Sequence, residues 1–105
     1  MSEHAVIIHF RYGSKNLDSL FALEEKLESA ILKAEAGEYD GNEVGMDGSD
    51  AFLYMYGPDA DILFETVRPI LEASGLMKDA TAVKRYGPPE EGVKRTQVRL
   101  GLSYN

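Results

Sequence analysis

Two histidines, six tyrosines and a dense run of carboxylates are the side chains here with chemistry to offer. Between Lys33 and Arg68 the chain carries Glu35, Glu38, Asp40, Glu43, Asp47, Asp50, Asp59, Asp61 and Glu65 and not one base. Clustered carboxylates among glycines suit calcium, whose ligands are oxygens on a flexible loop. The calcium-loop template needs acidic or amide residues at positions 1, 3 and 5, glycine at 6 and glutamate at 12. Counted from Asp40, Asn42 and Gly45 fit, but Val44 and Ala51 occupy positions 5 and 12. The template fails, and no metal or other cofactor is expected. What remains is a field that steers a basic protein partner, or a solvated edge that blocks sheet-to-sheet pairing. On the first reading the docking residues are Glu38, Asp40, Glu43, Asp47 and Asp50, with Asp59 and Asp61 adjoining.

A general base needs a partner that orients it. His4 starts a strand and is expected to be bland. His9 has a different prospect, because strand alternation puts Ala5, Ile7, His9 and Arg11 on one face and Val6, Ile8 and Phe10 on the other. In 51–56 the same rule separates Ala51, Leu53 and Met55 from Phe52, Tyr54 and Tyr56. If helices cover the aliphatic sets, His9, Arg11, Tyr54 and Tyr56 share an uncovered face with Phe52, and Lys84 and Tyr86 are expected nearby. That set offers a His–Tyr acid/base pair, as in small dimeric α/β-barrel enzymes, or a small-molecule site. It also matches the stacking platform of RNA-recognition motifs in position. The basic-Gly-aromatic run of those motifs is absent, and Ser49-Asp50-Ala51-Phe52 stands in its place. No phosphate loop, Gly-x-Gly-x-x-Gly, His-Glu-x-x-His or Gly-x-Ser-x-Gly occurs.

The elements that must position these residues follow from periodicity. Residues 4–12 and 51–56 read as strands rich in β-branched and aromatic side chains. Leu17, Leu20, Phe21, Leu23, Leu27, Ala30, Ile31 and Ala34 recur at three- and four-residue steps, which predicts a helix with one buried face. Ser14 or Asn16 is the expected cap, and Gly37 the expected left-handed stop. A weak edge strand is expected around 38–45. Gly57-Pro58 opens a second helix carrying Ala60, Leu63, Phe64, Val67, Ile70 and Leu71 on one stripe, with Asp59 and Asp61 at its positive end. Pro69 removes one of its backbone bonds. Further strands are expected at 79–86 and from 93 to 102. The order is the split β-α-β-β-α-β pattern of ferredoxin-like domains with an added C-terminal strand, an α+β fold with two helices on one face of an antiparallel sheet. Right-handed crossovers place 4–12 beside 51–56 at the centre.

Composition narrows the field. A chain of 105 residues holds one core, so residues 1–105 are expected to form a single domain. Eighteen acids against eleven bases leave a net charge of −7, which argues against nucleic acid as a partner. The longest apolar run, 51–56, is far short of the roughly 18 residues of a membrane span. With no cysteine and no leader-like segment, a cytoplasmic home is expected. Charge is uneven: Lys84, Arg85, Lys94, Arg95 and Arg99 gather near the C-terminus, where they can meet an acidic edge, the chain's own or another copy's. Separately, a single domain of this size leaves one sheet face or the edge strand uncovered, and a homodimer through the apolar-aromatic patch Ile7, Phe52 and Tyr54 is expected.

Three runs are familiar together: Gly37-Glu-Tyr-Asp-Gly-Asn-Glu-Val-Gly45, Tyr54-Met-Tyr-Gly-Pro-Asp-Ala-Asp-Ile-Leu-Phe-Glu65 and Lys84-Arg-Tyr-Gly-Pro-Pro89. They resemble a set of small acidic bacterial proteins of unassigned activity, over most of residues 5 to 100. In size and acidity the chain is also similar to immunity proteins, which neutralise toxins encoded beside them. The resemblance carries over no function and no catalytic residue. A non-catalytic interaction domain, binding a protein partner through the acidic segment 35–50 and the adjoining Asp59/Asp61 turn, is what the charge pattern leads one to expect.

Overall fold

A computed structural model describes residues 3–14 and 16–100. Seven elements follow one another: β1 (His4–Arg11), α1 (Asp18–Ala34), β2 (Glu38–Val44), β3 (Asp50–Gly57), α2 (Ala60–Ala73), β4 (Thr81–Arg85) and β5 (Arg95–Arg99). The strands form one antiparallel sheet in the order β2-β3-β1-β4-β5. Both helices pack on one of its faces, so the fold is α+β, and the strands at 4–11 and 50–57 are neighbours as predicted. Leu102, expected in the last strand, lies outside the described residues.

Alternation decides what each strand buries. Val6, Ile8 and Phe10 of β1 and Ala51, Leu53 and Met55 of β3 are wholly buried. They meet Leu20, Leu23, Leu27 and Ile31 of α1 and Leu63, Phe64, Val67 and Leu71 of α2 in one core. Burying each of the larger of these side chains, Ala51 aside, removes enough apolar surface from water to contribute roughly 1.5–3 kcal/mol. Leu53 and Met55, not Tyr54 and Tyr56, therefore face the helices, as the phenolic oxygens' need for partners requires.

Several local expectations are corrected. Leu17 stands at the N-cap of α1 and makes no side-chain cap bond. Asn16 instead accepts from the Asp18 N–H, and Ser14 from the Asn16 N–H. The left-handed stop of α1 is Glu35 (φ 53°), two residues before Gly37. Pro58 precedes α2, and Asp59 caps it by accepting from the N–H groups of Asp61 and Ile62 at 2.9 and 3.2 Å. α2 stays helical through Pro69. His4 is not bland: its Nδ1 accepts from the Ala60 N–H at 3.0 Å, tying the start of β1 to the start of α2.

Candidate functional site

The face of the sheet away from the helices is organised as three rows crossing all five strands. Register gives Glu38, Tyr56, Ala5, Arg85, Arg95 as the first row, and Gly41, Tyr54, Ile7, Val83, Gln97 as the second. The third is Glu43, Phe52, His9, Thr81, Arg99. Beyond it, Asp50 of β3 stands opposite Arg11 of β1. Carboxylates thus occupy the β2 edge, rings and aliphatic groups the middle, and guanidinium groups the β5 edge.

Within this face the rings lie side by side. His9 stacks on Phe52 with centroids 4.6 Å apart and planes 23° from parallel, and Phe52 stacks beside Tyr54 at 6.3 Å and 15°. His9 Nε2 lies 3.2 Å from Asp50 Oδ1, and the Tyr54 hydroxyl donates to Glu43 Oε1 at 2.9 Å. Loss of solvation, and then the bond to Glu43, push the Tyr54 hydroxyl above the usual tyrosine range. The expected acid/base pair of His9 with Tyr54 or Tyr56 is therefore not formed. Phe52 stacks with both His9 and Tyr54, each of which is tied to its own carboxylate, and Tyr56 stands opposite Ala5, two rows from His9. Instead, two sets that the sequence kept separate, the acidic segment and the open-face rings, become one continuous surface.

The seven docking carboxylates do not stay together. Glu38, Glu43 and Asp50 lie on the open face along the β2–β3 edge, all exposed, with Asp40 exposed where the β2–β3 register shifts between Tyr39 and Gly41. Asp47 belongs to the β2–β3 turn, where it accepts from the backbone and hydroxyl of Ser49 at 2.9 and 2.6 Å. Those bonds, the hydroxyl's first, hold its carboxyl below the usual range. Asp59 caps α2. Asp61 accepts from the Tyr86 hydroxyl at 2.6 Å and from Lys84 Nζ at 3.0 Å, on the helix side of β4. The Tyr86 bond first, then Lys84, depress its carboxyl pKa.

Lys84 and Tyr86, expected on the open face, are accordingly on the other one. Lys84 Nζ also lies 5.3 Å over the Phe64 ring, and Lys94 Nζ lies 5.1 Å over that of Tyr86. The basic C-terminal region divides by parity: Lys84 and Lys94 join this helix-side cluster, while Arg85, Arg95 and Arg99 take the open face. Arg85 is nearly buried and donates through Nε to the Gly87 carbonyl at 2.7 Å. Arg95 and Arg99 are exposed and have no ion-pair partner among the described residues. Sequence reasoning missed that the arginines share a face with the rings. The alternation of Arg95, Gln97 and Arg99 carried that signal once β5 was paired with β4.

On the covered side, Glu24 of α1 accepts from the Tyr39 hydroxyl at 2.5 Å and from the Asn42 amide at 2.8 Å, clamping β2 to the helix. Burial first, and then Glu24, drive the Tyr39 hydroxyl far above the ordinary tyrosine value. This clamp fixes the strand that bears the acidic edge. Among the described residues no group of three or more His, Asp or Glu could hold a metal ion, and no helix is long and apolar enough to cross a membrane.

The chain matches no family model and no curated protein. Among solved structures it is similar to the TiaS chain of a complex of TiaS with tRNA, AMPCPP and agmatine, at 15% identity and a TM-score of 0.47. That likeness covers 80% of this chain but only 23% of the other. It is also similar to Rv0793 from Mycobacterium tuberculosis, at 17% identity over 98% of both chains and a TM-score of 0.49.

Proposed function

We propose that this chain is a non-catalytic interaction domain that binds a basic protein surface through the acidic edge of its open sheet face. The observation that carries this reading is the pairing of Asp50 with His9 and of Glu43 with Tyr54. It makes an exposed carboxylate row and a ring-bearing sheet face into one contact surface. Carboxylates supply steering and orientation, and the rings supply apolar area that a partner can cover. Asp59 and Asp61 serve the start of α2 and β4 in this reading and stand apart from the docking edge.

The alternative was a ligand or catalytic site formed by His9, Arg11, Tyr54 and Tyr56. Acid/base catalysis needs donor and acceptor within hydrogen-bond reach of one reacting group. Phe52 stacked between His9 and Tyr54 works against that, so the geometry favours adhesion over chemistry.

The test is capture from native lysate on immobilised chain, comparing wild type with the fourfold variant Glu38→Gln, Asp40→Asn, Glu43→Gln, Asp50→Asn. Recovery should fall for the variant. It should also fall for wild type as salt rises, because the screening length drops from about 10 Å at 0.1 M to about 3 Å at 1 M. Equal recovery by the two proteins at low salt refutes the reading.

A further inference from the structure

We infer that the partner seated on this face is a second copy of the chain, packed sheet to sheet about a two-fold axis parallel to β1. The inference rests on the reading of the open face as a docking surface and supplies its occupant. What points to it is the arrangement of charge across the rows. In the first row Glu38 and Arg95 stand at opposite ends, and in the third Glu43 and Arg99 do. Both rows are therefore charge dipoles aligned the same way.

Two copies facing each other about an axis in the interface plane have two simple choices. An axis perpendicular to the strands lays β2 over β2 and stacks carboxylate on carboxylate. An axis parallel to the strands keeps each row over itself but reverses it end for end. Glu38 then meets the partner's Arg95, and Glu43 meets the partner's Arg99. Each contact occurs twice by symmetry, as an isologous interface requires. The middle of the face is matched as well. Ile7 lies on the axis against the partner's Ile7, and Tyr54 lies over the partner's Val83, giving an apolar centre ringed by charge. Opposite charge at the edges and apolar groups at the centre are self-complementary in this one orientation. A β1 edge-to-edge contact is closed to it, because β3 and β4 already flank β1.

Size sets the strength. Five strands about 4.8 Å apart and roughly 20 Å of row depth present about 500 Å² of sheet plane per copy. That falls at the low end of the interface range, below about 600 Å² per partner, where association is weak and transient. Self-association in the micromolar range is the consequence.

The experiment is sedimentation of the full chain across micromolar concentrations, with two charge reversals. Wild type should approach the mass of two 11.6 kDa chains as concentration rises. Arg95→Glu with Arg99→Glu creates four like-charge contacts per dimer, as does Glu38→Arg with Glu43→Arg. Each variant alone should self-associate about tenfold or more weakly. In an equimolar mixture the heterodimer regains all four opposite-charge contacts, two with their original signs and two reversed, and the mixture should return to the two-chain mass. All four positions are exposed, and far-ultraviolet circular dichroism checks that the folds survive. Should a reversal fail to fold, Arg95→Gln with Arg99→Gln keeps the test alive, expected to weaken association several-fold and flatten its salt dependence. Wild type at 11.6 kDa throughout, or folded variants that stay monomeric when mixed, overturns the second-copy inference. Neither result touches the acidic-edge reading, which equal lysate capture alone refutes.

Discussion

The acidic edge is led into place beside the rings by Ala36 and Gly37, which run against the end of β3 too closely for a Cβ at either Gly37 or Gly57. A Cβ added at Gly57 would sit 2.2 Å from the Ala36 carbonyl oxygen and 3.2 Å from Gly37 Cα. One added at Gly37 would sit 2.0 Å from the Tyr56 carbonyl oxygen, on a residue with φ +142°. Both obstacles are backbone, so the two strand ends must separate to admit either methyl group. Three substitutions divide the cost. Gly57→Ala meets crowding without a left-handed φ, and overpacking of this kind costs about 1–3 kcal/mol. Gly75→Ala meets no atom within 4 Å but has φ +76°, so it isolates the conformational cost of about 1–2 kcal/mol. Gly37→Ala meets both, for roughly 2–5 kcal/mol if the two add. Urea unfolding at a common temperature, with slopes compared to exclude denatured-state effects, gives all three. The separation should also draw Glu43 away from Tyr54 and so lower the hydroxyl's pKa toward its ordinary value. Gly57→Ala at wild-type stability, or Gly37→Ala no worse than Gly75→Ala, refutes the close approach.

Leu53→Ala should cost about 2–5 kcal/mol in chemical unfolding, as a buried core leucine does. Tyr54→Phe, one residue on and facing out, should stay within about ±0.5 kcal/mol, typical of surface changes. Asp61 has its folded pKa depressed by Tyr86 and Lys84, so its stabilisation is present above the unfolded value of 3.8 and is lost as pH falls through the folded one. The acid limb of the pH–stability curve should therefore be shallower in Asp61→Asn. Tyr39 has the opposite sign: its folded pKa is raised, so its contribution is complete below the unfolded value of 10.0 and is lost as pH rises past it. Ultraviolet titration in strong alkali should show fewer tyrosines ionising in the native protein than in the urea-unfolded chain, and Tyr39→Phe should shrink that difference.

What could be read from the sequence was whatever depended on period. The two-residue alternation in 51–56 separates Leu53 and Met55 from Tyr54 and Tyr56 with no ambiguity, because the large aliphatic groups all share one parity. The stripe Leu20, Leu23, Leu27, Ile31 is equally plain. The strand at 81–85 was harder. Its largest apolar residue, Val83, lies on the open face, and its one buried apolar residue is the small Ala82, so hydrophobicity pointed the wrong way and carried Lys84 and Tyr86 with it. Gly37 was misread for a different reason: a glycine three residues past a helix looks like its stop, and a glycine needed by a strand one sheet position away looks the same. Only the structure distinguishes a φ requirement from a Cβ clash. The site was visible as two lists and not as one surface. Joining them required the β2–β3 register, which no local pattern encodes across a strand holding Gly41 and an irregular pairing.

The same register bears on what kind of surface this is. His9 with Asp50 is, taken alone, a base with an orienting carboxylate, the beginning of a catalytic arrangement. Catalysis would need a third group brought to the free side of that imidazole and protection from bulk water. Here one neighbour is the Phe52 ring, stacked at 4.6 Å, and the His9 and Asp50 side chains are 41% and 56% exposed. An oriented histidine on an open, ring-covered sheet is better placed to hold a contact surface in one shape than to move protons. The neighbouring Tyr54–Glu43 bond does the same, since it immobilises a carboxylate that would otherwise sample many rotamers. Fixing side chains before association lowers the entropy cost of docking. On the proposed reading, the hydrogen bonds that resemble catalytic machinery stiffen a docking face, on an edge whose charge is opposite to that of the far edge of the same sheet.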